Sequence, residues 1–323
     1  MKLFVACPRG RTFDSFFDDR NIELAQQLFD VVWNPFDRNM TAEEAASLAV
    51  GCDVYMTSWG APVPDNSFFE AAPHLQVVAH LGAHTEHIET EKLAERGVRI
   101  LSGEDHYHRS AAEGALAYIL SALRCIPDFS FQLKHKGEWK HKWDRGRGLV
   151  GKTVGVFNYS RAGSYLTQLL VPFGVKILVY DREKIPKTEL RKKQMMQVSG
   201  EILFASSDII CVYPPTVGEH YHMIDYDLLS LVKDGALLVD ISTGGVIDRE
   251  ALIGILLRRK IFAVLDVYEK EPPDRDDPLI LLQNVLPMPH MAGPTPDVRR
   301  VVVNDLLTRS AQMCISNVKD QRL

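Results

Sequence analysis

Val154-Gly155-Val156-Phe157-Asn158-Tyr159-Ser160-Arg161-Ala162-Gly163 decides the fold of this chain, together with the Val179-Tyr180-Asp181 that closes the next apolar run. The pattern predicts a strand over Val154–Phe157, a helix over Gly163–Phe173 and a second strand over Lys176–Tyr180. Strand, tight turn, helix and parallel strand make a βαβ unit laid out for a dinucleotide. In such a unit the turn aims backbone N–H groups and a helix N-terminus at the pyrophosphate. An acidic residue at the end of the second strand bonds the ribose hydroxyls. Asp181 stands there, and its charge repels a 2′-phosphate, which favours NAD over NADP. The glycine pattern is eroded, with Asn158 in the first glycine's place and Ser160 in the second's; only Gly163 matches. Asparagine tolerates left-handed backbone better than most residues, so the turn can survive. An ordinary βαβ turn with no ligand stays open on this string alone.

The same alternation runs outward in both directions. Upstream, short apolar runs at Leu3–Ala6, Val31–Trp33, Asp53–Thr57, Gln76–His80 and Val98–Leu101 predict strands, with helices at Asn21–Phe29 and Thr41–Val50. Thr41-Ala42-Glu43-Glu44 supplies an N-cap and an acidic first turn. A long helix is expected over Arg109–Cys125, ended by Pro127. Downstream, strands are expected at Ile209–Val212, Leu237–Ile241, Ala263–Val267 and Val285–Pro287, with helices at Arg249–Arg258 and Asp297–Cys314. Strands alternating with helices predict α/β architecture and parallel sheets.

Composition narrows the function. The chain has 323 residues, 46% hydrophobic and 24% charged, with a net charge of −5. That is an ordinary globular mix of about two domains, and it calls for neither a nucleic acid nor an anionic membrane. The basic segment Lys134–Arg147, with six Lys/Arg, reads as a solvated or subunit-bridging arm. No uncharged apolar run nears the ~18 residues of a membrane span. The opening Met1–Pro8 has too short an apolar run for a signal peptide and reads as a first strand. Five cysteines without a Cys-x-x-Cys pair read as free thiols in a reducing compartment, so the expectation is a cytoplasmic protein. His80, His84 and His87 have the spacing of a helical metal face, but His80 ends a strand and His84 lies in the turn after it. Imidazoles lining a polar cleft, with no metal, are the expected arrangement.

Three later segments carry chemistry: Val239-Asp240-Ile241-Ser242-Thr243-Gly244-Gly245, then Leu265-Asp266-Val267-Tyr268-Glu269-Lys270-Glu271-Pro272, then Pro289-His290-Met291-Ala292-Gly293. In this order and spacing, after the nucleotide turn, they resemble the D-isomer-specific 2-hydroxyacid dehydrogenases over essentially the whole chain. The resemblance implies two Rossmann-like parallel-sheet domains, one flavodoxin-like and one dinucleotide-binding. Residues 1–102 with 291–323 would form the substrate domain and residues 103–290 the NAD-binding domain. It implies hydride transfer between NAD and a 2-hydroxy acid or related CH–OH substrate, with His290 as general acid/base and Glu271 as its partner. It implies a cofactor lining of Asn158, Ser160, Arg161, Ala162, Gly163, Asp181, Tyr213, Pro215, Ser242 and Asp266. On the substrate side it implies Gly82, Ala83 and His84, which lie where the family has its carboxylate-binding loop. It also implies a homodimer built through the Arg109–Trp143 region.

The chain departs from the family where substrate is held. Thr243 replaces the family's arginine, and a neutral hydroxyl replaces a fixed charge with five donors. His84 replaces a loop glycine, Tyr213 stands where many members have histidine, and Tyr107 where a substrate-side asparagine is common. Arg9, after the first strand, and Arg109, at the start of the long helix, are the candidates for the missing cation; a solvated surface role is the alternative for each. Two readings follow from the altered site. One is an NAD-dependent oxidoreductase with changed substrate preference. The other is a non-catalytic NAD(H)-binding or interaction protein.

Overall fold

The computed structural model describes residues 1–88, 91–140, 143–213 and 221–320. It divides into two compact units, one of Met1–Tyr107 with Pro294–Leu323 and one of His108–Gly293.

The first unit holds five parallel strands: β1 (Lys2–Val5), β2 (Asp30–Trp33), β3 (Val54–Thr57), β4 (Val77–His80) and β5 (Arg99–Ser102). Their order is β2-β1-β3-β4-β5, the flavodoxin-like arrangement. The period of two along each strand sorts the side chains onto two faces. Leu3, Val5, Val54, Met56, Val77 and Ala79 share one core with Val302, Val303, Leu306 and Leu307. Phe4, Tyr55 and Val78 face the other, with Ala45, Ala46, Phe68 and Phe69. The chain's last helix, Pro296–Asp320, therefore packs on the sheet that the first strand begins. Thr41 and Glu44 form the reciprocal capping box that starts the helix Ala42–Leu48.

The second unit holds seven parallel strands: β6 (Thr153–Phe157), β7 (Lys176–Tyr180), β8 (Met195–Gln197), β9 (Ile209–Val212), β10 (Leu237–Asp240), β11 (Phe262–Leu265) and β12 (Val285–Pro287). Their order is β12-β11-β10-β9-β6-β7-β8. The strand sequence reverses between β6 and β9, and open α/β sheets bind ligands outside the carboxyl ends of the strands at such a point. Val154 and Val156 face one core; Phe157 faces the other, with Ile210, Val212 and Leu238. Gly155 lies between them, where a Cβ would collide with Ser207 and Leu203.

Several element boundaries differ from expectation for identifiable reasons. The long helix runs Glu104–Leu123, because Glu104 and Asp105 give it an acidic first turn before Arg109. Pro127 does not end it. Cys125 adopts φ 51°, and Pro127 sits in the first turn of a new helix, Ile126–Phe131, where a missing N–H is harmless. The helix after the nucleotide turn is Arg161–Leu170, capped by Ser160; a 3₁₀ turn holds Pro172 beyond it. Strand β8 was not expected, because Met195-Met196-Gln197 is too short to show a period. Among the described residues no helix is long and apolar enough to cross a membrane.

Candidate active site

The nucleotide turn lies at the carboxyl end of β6. Asn158 adopts φ 65°, the left-handed conformation its glycine counterpart would supply, and its Nδ2 donates to the Tyr213 carbonyl at 2.9 Å. That bond ties the end of β6 to the end of β9 across the point where strand order reverses. Ser160 is the N-cap of the following helix, its Oγ accepting from Gly163 N at 3.4 Å. Arg161 is the first helical residue and Ala162 is buried beneath the turn. A Cβ on Gly163 would lie 3.0 Å from the Asn158 carbonyl, so this glycine sets the close approach of helix to strand.

Asp181 follows β7, and one of its carboxylate oxygens accepts from Glu183 N at 2.9 Å. Tyr213 is buried, its phenol is pushed well above its ordinary range by that burial, and its hydroxyl meets no partner among the described residues. Pro215 lies outside the described residues. A helix N-terminus, a left-handed residue at the first glycine position and a strand-end carboxylate are the features a dinucleotide requires, so these residues fit NAD.

Sequence reasoning missed a brace on this turn. Tyr159 donates to Glu189 at 2.8 Å, and Lys193 donates to Tyr159, Ser164 and Glu189 at 2.6, 2.6 and 3.1 Å. The brace joins the turn to the helix Lys187–Lys192 behind it. No periodic or motif signal marks it.

The acid/base candidates follow β11 and β12, at the same carboxyl end of this parallel sheet as the nucleotide turn. His290 Nδ1 lies 2.7 Å from Glu271 Oε2, and the other Glu271 oxygen accepts from Tyr268 N at 3.1 Å. The imidazole is half exposed and its residue adopts φ 56°. A left-handed non-glycine residue is held only where its surroundings fix it. Those surroundings are supplied by Asp266, buried at the end of β11. Its carboxylate accepts from Met291 N at 2.7 Å, Ala292 N at 2.8 Å and the Tyr118 hydroxyl at 2.8 Å. Gly114 closes the packing, since a Cβ there would strike the Ala292 backbone.

Thr243 lies in the turn after β10. Its Oγ1 is buried and meets no partner among the described residues. Ser242 donates through its N and Oγ to Asp240 at 3.1 and 2.5 Å. Burial pushes the Asp240 carboxyl up to about 6 despite those two bonds. Gly244 admits no side chain, because a Cβ would fall on the Tyr268 carbonyl. His222, also unforeseen, donates its backbone N–H to the Gly245 carbonyl at 2.8 Å and its Nε2 lies 2.9 Å from Glu269.

In the first unit, Gly82 and Ala83 lie in the bend after β4 and His84 follows it, 3.8 Å from Glu86. A Cβ on Gly82 would lie 2.5 Å from His80 Nε2 and 3.1 Å from Trp59 Nε1. Arg9 donates to the Asn34 carbonyl at 3.2 Å and lies over the Phe13 and Trp33 rings. Arg109 belongs to the second unit, over the Tyr165 ring.

His80 is buried, 2.9 Å from the Thr57 hydroxyl, and burial, with His87 and His84 nearby, pushes its imidazole down to about 4. The folded chain therefore resists a proton that the unfolded chain accepts below 6.5. Its contribution is complete above that pH and is lost as pH falls from 6.5 towards 4. The shift corresponds to roughly 3 kcal/mol. His80→Asn should flatten the fall of melting temperature across that window; a fall parallel to the wild type would contradict this.

Comparisons with known proteins agree with the geometry. Residues 116–292 match the family model described as D-isomer specific 2-hydroxyacid dehydrogenase, NAD binding domain. The chain is 32% identical over 243 residues to a hydroxypyruvate reductase of Thermotoga maritima, covering 74% of the chain and 78% of the relative. It is 32% identical over 287 residues to a glyoxylate reductase of Thermococcus gammatolerans, covering 86% and 84%. In fold it is similar to the NAD-complexed D-isomer specific 2-hydroxyacid dehydrogenase of Lactobacillus delbrueckii ssp. bulgaricus, with a TM-score of 0.77, 18% identity and 98% of each chain covered.

Proposed function

Because the chain belongs to the D-isomer specific 2-hydroxyacid dehydrogenases, and is thus an NAD-dependent oxidoreductase of 2-hydroxy acids, we propose that His290 and Glu271 carry its proton transfer. The observation that carries this reading is the 2.7 Å contact between His290 Nδ1 and Glu271. A carboxylate accepts only, so Nδ1 holds the hydrogen and Nε2 is the working atom. Nε2 takes the hydroxyl proton when the alcohol is oxidised and returns it when the carbonyl is reduced. The bound cofactor supplies or accepts the hydride. Asn158, Ser160, Arg161, Ala162 and Gly163 hold its pyrophosphate, Asp181 its ribose, and Tyr213, Pro215, Ser242 and Asp266 complete the lining. Asp266 acts on His290 through the backbone it binds.

The unit of Met1–Tyr107 with Pro294–Leu323 serves as the substrate domain, with Gly82, Ala83 and His84 in its carboxylate loop, and the unit of His108–Gly293 serves as the NAD domain. Thr243 contributes one neutral donor where the family's pattern has a cation, which disfavours simple 2-oxo acids held by that position alone. The protein acts as a homodimer through the Arg109–Trp143 segment. Exposed Ile126, Phe131, Leu133 and Trp139 support that. Five free cysteines, four of them buried, support a reducing, cytoplasmic setting.

The test is NADH consumption with small 2-oxo acids, glyoxylate and hydroxypyruvate first. At least one should be reduced, and Asp181→Ala should raise the KM for NADH about tenfold with little change in kcat. Bound NADH that no acid of the panel consumes would refute the reading.

A further inference from the structure

Arg299 is a half-buried cation in the first unit, in the first turn of the helix Pro296–Asp320. Two other arginines of that helix find carboxylates, Arg300 with Asp18 at 3.9 Å and Arg309 with Asp305 at 3.1 Å. Among the described residues Arg299 finds none. Its Nη1 donates to the neutral Ser15 hydroxyl at 3.1 Å, and its Nε is buried without a partner. The guanidinium lies over the rings of Phe16 and Trp59, 5.5 and 5.7 Å from their centres. Removing a charge from water without a counter-ion is costly unless something else supplies the partner.

The neighbours share this incompleteness. The Tyr107 hydroxyl is buried and also meets no partner among the described residues. Burial pushes its phenol up, and Arg299 is near enough to pull it part of the way back. Trp59 lies edge-on to Tyr107 at 6.5 Å and is 46% exposed, so this ring borders solvent while the Tyr107 hydroxyl and Arg299 Nε stay buried behind it. The Trp59 indole nitrogen lies beside Gly82, where any side chain would crowd it. A cation, a phenol and an indole N–H, with two of the three donors unmet beside an exposed aromatic face, make a receptor for a small planar anion.

We propose that Arg299, Tyr107 and Trp59 form a carboxylate subsite of the first unit, which binds the acid group of a small 2-oxo or 2-hydroxy acid. The assignment rests on the oxidoreductase reading above and names the cation that Thr243 does not supply. Arg299 carries the charge, Tyr107 adds a neutral donor, and the Trp59 face receives the body of the acid.

The probe is oxalate, an unreactive planar acid, titrated calorimetrically into the NADH-loaded full chain. Wild type should bind it. Arg299→Met should weaken binding about 30-fold or more, and Tyr107→Phe about fivefold. Arg299→Lys should fall between, because it keeps the charge and loses the planar fork. NADH affinity should be unchanged in all three variants, which separates loss of the subsite from loss of the fold. Oxalate binding unaffected by Arg299→Met, no oxalate binding by wild type, or equally tight binding of inorganic phosphate would each overturn the proposal. The readout is binding, so its failure leaves the His290 reading standing. Oxalate binding without any turnover would instead support the subsite and count against His290.

Discussion

His290→Ala is expected to lower kcat about 10³-fold for any acid the wild type reduces, with NADH affinity unchanged. The size follows from what is removed. A positioned acid or base in the transition state contributes roughly 10²–10⁴-fold. Glu271 lies 2.7 Å from His290 Nδ1, and in the proposed role Nε2 is left for the substrate oxygen. Glu271→Gln should be milder, about 10²-fold, because an amide can still accept from Nδ1 but no longer stabilises the imidazolium. Stopped-flow measurement of NADH oxidation under single-turnover conditions separates this loss from slow product release. A His290→Ala protein that turns over within tenfold of wild type would remove His290 from the reaction.

Asp266→Ala is expected to have the largest effect on stability, roughly 3–5 kcal/mol in chemical denaturation. Its carboxylate is 1% exposed and accepts three hydrogen bonds. Removing it strands the Met291 and Ala292 N–H groups and the Tyr118 hydroxyl, and each buried donor left unmet costs about 1–3 kcal/mol. Turnover should fall as well, because the freed backbone carries His290. Tyr118→Phe is the control: it removes one bond and should cost about 1 kcal/mol while leaving kcat nearly unchanged. Equal kcat losses in the two variants would mean that Asp266 does not act through the His290 loop.

The parts legible in the sequence are those set by period and local chemistry. The alternation of strand and helix announced two parallel sheets. Thr41-Ala42-Glu43-Glu44 announced a capping box. Asn158 stood out as a residue able to take a left-handed turn, and it adopts φ 65°. The segments around Thr243, Glu271 and His290 carried the family resemblance. What stayed hidden depends on contacts between residues far apart in the chain. Asp266 reads as a strand-end carboxylate, and only folding brings Tyr118 to it across 148 positions of sequence. Lys193 shows no motif, yet it locks Tyr159 and Ser164. Arg299 looks like any helical arginine until Trp59 and Phe16 lie beneath it. Pro127 misled for the opposite reason: a proline breaks a helix or begins one, and the choice was made by the left-handed Cys125 before it.

The central claim is hydride transfer governed by His290, and the most direct measurement follows the hydride itself. NADH deuterated at the transferring position of the nicotinamide is supplied with glyoxylate and hydroxypyruvate, and the products are analysed by mass spectrometry. The account predicts deuterium on the carbinol carbon of at least one 2-hydroxy acid, of D configuration where that carbon is chiral, formed by wild type and lost about 10³-fold in His290→Ala. Labelled product formed equally by both proteins, or none formed while NADH is bound, would contradict it.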